Sequence, residues 1–197
     1  MNKLSAFFSA AIATGCLVWA APARANLSPA EVADGVYRGI QQLHGYQNTP
    51  RLVMNLGDRQ RSACGVTRST HYCARNHTVY ITQQDIRAAY QHGDAALAYI
   101  IAHEYAHAMQ IAFRFMPQNR TTAELQADCL AGAYLATLPN MTLDERDLHE
   151  IMTFAYRIGD YARWSQQHHG TPRQRTKAVL TGLQAAAKGK GIASCRL

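Results

Sequence analysis

The chain has 197 residues, a formal net charge of +7 and 48% hydrophobic residues. That length holds one compact domain and a leader, not two domains. The basic excess is spread along the chain without interleaved aromatic residues, which argues against nucleic-acid binding and for simple solvation.

The first 25 residues read as a secretory signal peptide. Lys3 supplies the charge, the run from Leu4 to Ala20 is apolar and small, and Ala23-Arg24-Ala25 offers an A-x-A cleavage site. The run is too short and too weakly apolar for a membrane span. Thr14-Gly15-Cys16 resembles the end of a lipobox, but Ala13 stands where leucine is usual, so cleavage without lipid is expected. The mature chain is then 26–197, a single domain without a membrane span, periplasmic or secreted from a bacterial envelope. Its four cysteines are Cys64, Cys73, Cys129 and Cys195. An even number in an exported chain suggests two disulfides, with three pairings open. Cys64 and Cys73 bracket a short loop like a hairpin staple, which leaves Cys129 to Cys195.

Ser28-Pro29-Ala30-Glu31 starts a helix, with Ser as N-cap and Glu three residues on, and Gly45 stops it. Arg51 to Leu56 is a strand, Gly65 to Thr70 a polar loop or hairpin, and His77 to Thr82 a second strand rich in β-branched residues. A short helix covers Ile86 to Tyr90. Asp94 is the expected N-cap of a long apolar helix that Pro117 closes. A second long helix begins at Thr121 and ends by Pro139. Thr142 and Glu145 make a capping box for a third, reaching Arg157, and Thr171-Pro172 opens a fourth. The fold class is α+β, a mainly helical domain with a small sheet in its N-terminal half.

The chemistry lies in the apolar helix, as His103-Glu104-Tyr-Ala-His107. Residues four apart share a helix face, so the two imidazoles can grip one ion while Glu104 projects beside it. This is the HExxH pattern of zinc hydrolases, with two zinc ligands and a carboxylate to take a proton from the attacking water. A catalytic zinc needs a third protein ligand and an open position. Glu124 and Asp128 are the candidates, one turn apart on the next helix. The sensible division puts Glu124 on zinc and Asp128 on the far nitrogen of a zinc histidine. The metzincin pattern fails, because Gln110 and Phe113 stand where it requires glycine and a third histidine.

His103-Glu-Tyr-Ala-His107-Ala-Met-Gln110, Glu124-Leu-Gln-Ala-Asp128-Cys129-Leu-Ala-Gly132 and His169-Gly-Thr-Pro-Arg-Gln-Arg175 resemble the bacterial family called putative neutral zinc metallopeptidases. Ser62-Ala-Cys64-Gly65, Tyr72-Cys73, Val79-Tyr80-Ile81 and Cys195 fit that family as well, so the similarity covers about residues 62–197. It implies a zincin-like fold of gluzincin type, one zinc ion per chain on His103, His107 and Glu124, and a peptide or protein substrate. Zinc peptidases also carry a His or Tyr donor facing the oxyanion. Either His168 or His169 could serve, and the family motif favours His169. The strand around Val79 to Thr82 is expected to receive an extended substrate by strand addition. The rival reading is a zinc-binding envelope module that does not cleave, against which the intact Glu104 argues.

Overall fold

The computed structural model describes residues 26–139, 141–162 and 168–195, so the expected leader, with Cys16, lies outside the described residues. Six helices run α1 (Pro29–His44), α2 (Gln83–Tyr90), α3 (Asp94–Ala112), α4 (Arg120–Leu135), α5 (Glu145–Arg157) and α6 (Pro172–Ala187). Five strands precede α2: β1 (Arg51–Leu56), β2 (Arg61–Ser62), β3 (Gly65–Val66), β4 (His71–Cys73) and β5 (Thr78–Thr82). The fold is α+β and mainly helical, with the small sheet on the N-terminal side. None of the helices among the described residues is long and apolar enough to cross a membrane.

The sheet has the order β1-β5-β4, with β1 parallel and β4 antiparallel to β5. The β1–β5 register slips between Val53 and Leu56, where Asn55 takes φ 62°. Asparagine tolerates that left-handed conformation better than most residues. β5 is the central strand and every one of its residues is buried. It has no free edge, so the expectation of strand addition at Val79 to Thr82 is overturned. The sheet's edges belong to β1 and β4, and the short hairpin of β2 and β3 joins neither. The β-branched and aromatic content that made β5 legible as a strand also suits a position buried on both sides.

α3 is apolar nearly all round because it is the axis of the molecule. Its first half packs with α1, α5 and the sheet through Val36, Ile40, Ile81, Leu97, Ile101 and Ile151. Its second half packs on α4 through Ala106, Met109, Leu130 and Tyr134. The helix ends differ from expectation in two places. Asp94 does not cap α3, since Gly93 holds that position at φ 123° and Asp94 Oδ2 instead accepts from Leu27 N at 2.8 Å. Glu150 of α5 accepts from Ala95 N at 3.1 Å and so satisfies one of the helix's free donors. The capping box of α5 is Asp144 with Asp147, not Thr142 with Glu145. Both pairs carry the right chemistry, and the chain enters the helix two residues later than the first match suggests.

Two disulfides join Cys64 to Cys73 and Cys129 to Cys195. The second ties the short 3-10 turn Gly191–Cys195 to α4. α4 and α6 cross very closely, and glycine makes this possible. A Cβ on Gly182 would stand 1.9 Å from the Cys129 carbonyl oxygen, and one on Gly132 would stand 2.3 Å from that of Val179. That approach sets the spacing at which a side chain on α6 can reach α4.

Candidate active site

α3 and α4 carry the site between them. Gln110 near the end of α3 fastens the two helices, donating to Ala123 O at 2.7 Å and to Gln126 Oε1 at 3.0 Å. Because its amide nitrogen is committed to those two acceptors, its oxygen faces His107 Nδ1 at 2.8 Å. That orientation makes Nδ1 the proton-bearing nitrogen of His107 and leaves the Nε2 lone pair pointing away. His103 is treated similarly. Its Nδ1 lies 2.9 Å from Asp128 Oδ1, off the N–H axis, which makes the contact an ion pair more than an aligned hydrogen bond.

Three donor atoms then converge. His103 Nε2 and His107 Nε2 are 3.2 Å apart, and Glu124 Oε2 is 3.3 Å from the first and 3.4 Å from the second. Tetrahedral zinc with bonds of about 2.0–2.1 Å requires ligand separations of about 3.3 Å. The residues fit that ion. Two imidazole lone pairs and a carboxylate aimed at one point also repel each other unless a cation lies between them. In the free protein a proton does part of that work. Burial would lower the pKa of His103, but the carboxylates of Asp128 and Glu124 beside it outweigh this and raise it to about 10. Glu124 shows the counterpart: burial would raise its carboxyl, and His103 and His107 hold it well below the usual range instead.

Asp128 is completely buried and shared among three partners. Arg175 of α6 grips it with two parallel bonds, Nε to Oδ2 at 2.9 Å and Nη2 to Oδ1 at 2.7 Å. Tyr99, one turn before His103 on α3, donates to Oδ1 at 2.5 Å. Burial would raise the Asp128 carboxyl, but Arg175 and His103 outweigh it and hold it at about 2. Neither Tyr99 nor Gln110 nor Arg175 is singled out by sequence reasoning as an orienting residue. Spacing on α3 puts Tyr99, His103, His107 and Gln110 on neighbouring turns, which was a signal in plain view, whereas the Arg175 contact depends on how α6 crosses α4.

The donor triad opens onto a cleft of about 650 Å³ lined by Thr70, His71, Glu104, Arg120 and His169. Glu104 makes no hydrogen bond or ion pair among the described residues, although it is only 7% exposed. His169 borders the cleft, with Nε2 3.3 Å from Arg120 Nη2 and 3.7 Å from Glu124 Oε1. Burial lowers its pKa. His168 turns the other way, 2.6 Å from Asp160 through Nδ1. Edge strand β4 lies along the same cleft.

A family model described as "Putative neutral zinc metallopeptidase" matches residues 30–195. The chain belongs to that family. Two curated relatives, both called uncharacterized protein YpfJ, come from Escherichia coli K12 and from Escherichia coli O6:H1. Each is 34% identical over 170 residues, covering 69% of this chain and 58% of the relative. The chain therefore spans less than two thirds of the relatives' length. No solved structure matches. The family name implies zinc and a hydrolase acting on peptides.

Proposed function

We propose that this chain is an exported zinc peptidase that hydrolyses peptide bonds by water attack, with Glu104 as general base. The observation that carries the reading is the convergence of His103, His107 and Glu124 at 3.2–3.4 Å beside an unpartnered Glu104. These three residues would hold the ion, Asp128 and Gln110 fixing the two imidazoles from behind. Zinc bound there supplies Lewis-acid polarisation of a carbonyl and an acidified water. Glu104 takes the proton of the attacking water and returns it to the leaving amine. His169 is assigned the oxyanion-facing role in preference to His168, since only His169 borders the cleft. An extended peptide would lie along the free edge of β4, where main-chain groups are open to pairing.

Metal analysis tests the foundation. The mature protein should carry about one zinc per chain, and His107→Ala or Glu124→Ala should lose most of it. Full retention in Glu124→Ala would transfer the third-ligand role to another residue. Export is tested separately by the mass of the mature N-terminus, expected at Asn26 without lipid. Two disulfides that staple the chain support an oxidising compartment. A lipidated Cys16, or retention of residues 1–25, would overturn the cleaved-leader reading.

A further inference from the structure

We propose that Arg120 is a specificity residue that selects peptides bearing a carboxylate within one or two residues of the scissile bond. This rests on the peptidase reading above and names the substrate class for the same cleft. Asn119 caps α4 through a 3.0 Å bond from Thr122 N, so Arg120 is the first residue of the helix, one turn before Glu124. A cation is disfavoured at that end by the helix dipole, so helix stability does not account for it. Its side chain is 55% exposed and borders the cleft.

The other charged groups lining the cleft are already committed. Asp85 accepts from Thr70 N and from Thr82 Oγ1, both at 2.7 Å. Arg175 is bound to Asp128. Glu124 belongs to the donor triad, and Glu104 to proton transfer. Among the described residues Arg120 meets His169, at 3.3 Å through Nη2, and makes a loose ion pair with Glu124, its Nε 3.9 Å from Oε1. The fork of the guanidinium thus keeps donors for a ligand, in the planar geometry that matches a carboxylate. Its closeness to Glu124 limits the reach, because an extended peptide advances about 3.3 Å per residue. The carboxylate can come from an acidic side chain or from the substrate's C-terminus.

Three matched acetylated hexapeptides separate these sources: one with Gln and an amidated end, one with Glu instead of Gln, and one with Gln and a free C-terminus. Their hydrolysis by the zinc-loaded wild type and by Arg120→Gln gives ratios of kcat/KM. A charged hydrogen-bonded pair predicts a preference of about 10–100-fold for a carboxylate peptide over the neutral one, collapsing towards one in the variant. Binding of fluorescently labelled forms of the same peptides to zinc-loaded Glu104→Gln, with and without Arg120→Gln, decides the point without catalysis. A carboxylate preference that vanishes with Arg120 upholds the proposal, and the favoured peptide identifies the source. Equal binding of all three, or a preference that survives Arg120→Gln, overturns it. Failure of the wild type to cleave any peptide in which Arg120-dependent binding persists would instead refute the peptidase reading alone.

Discussion

Glu104→Gln is expected to lower peptide hydrolysis by about 10²–10⁴-fold while leaving fold and zinc content intact. The amide nearly matches the carboxylate in shape but cannot accept the water's proton. Glu104 has no hydrogen bond or ion pair among the described residues, so the substitution breaks no contact that holds the helix in place. Its role is confined to the cleft. Steady-state hydrolysis of casein and metal content, measured on the same preparations, form the test. Equal rates in wild type and variant would eliminate Glu104 as the base. Zinc loss in the variant would make it a ligand instead. Binding of a common partner by both proteins, with zinc present and no hydrolysis by either, would favour a non-cleaving envelope module.

Asp128→Asn should cost stability as well as metal. Arg175 is 4% exposed and has its charge balanced by this one carboxylate. Removing one member of a buried pair leaves the other uncompensated, a loss of about 3–5 kcal/mol. Urea denaturation of the metal-free proteins measures it. Zinc affinity should fall by about 10–100-fold in addition, since His103 loses its charged acceptor. Combining Asp128→Asn with Arg175→Met should be less destabilising than the sum of the two single changes, because the double variant strands no charge. Additive losses would mean that the two side chains do not act as a pair. The pH dependence has a definite sign. The folded Asp128 titrates at about 2 against an ordinary value of 3.8, so its contribution is complete above the ordinary value and disappears as pH falls through about 2.

The chain order of residues determined the local chemistry. A four-residue spacing on a helix is enough to put His103 and His107 on one face, and the same spacing pairs Glu124 with Asp128. Apolar periodicity, caps and prolines located the six helices and the two longer strands to within a few residues. The cysteine staple between Cys64 and Cys73 was visible because a short loop limits where a thiol can reach. Helix starts were less certain where two capping patterns overlapped, as at Thr142 and Asp144, since local sequence supports either and tertiary contact selects one.

Everything that depends on distant segments meeting was decided by the tertiary structure. Edge position is one case: β5 reads in sequence as a strand that could receive a substrate, yet its partners on both sides leave the sheet's edges to β1 and β4. Arg175 is another, 47 residues beyond Asp128 in the chain and brought to it by the close crossing of α4 and α6 at Gly132 and Gly182. Gln110 reads in sequence as a departure from a different zinc pattern and as part of the family motif, without a role, and its link to His107 follows from where α4 lies against α3. Of the two adjacent histidines only the family motif favoured His169, and the structure separates them, the Asp160 side chain binding the His168 ring while His169 borders the cleft. A sequence pattern encodes which groups share a helix face, because that geometry repeats every turn. It does not encode which groups from different helices come into contact, because that is set by how the packed helices cross.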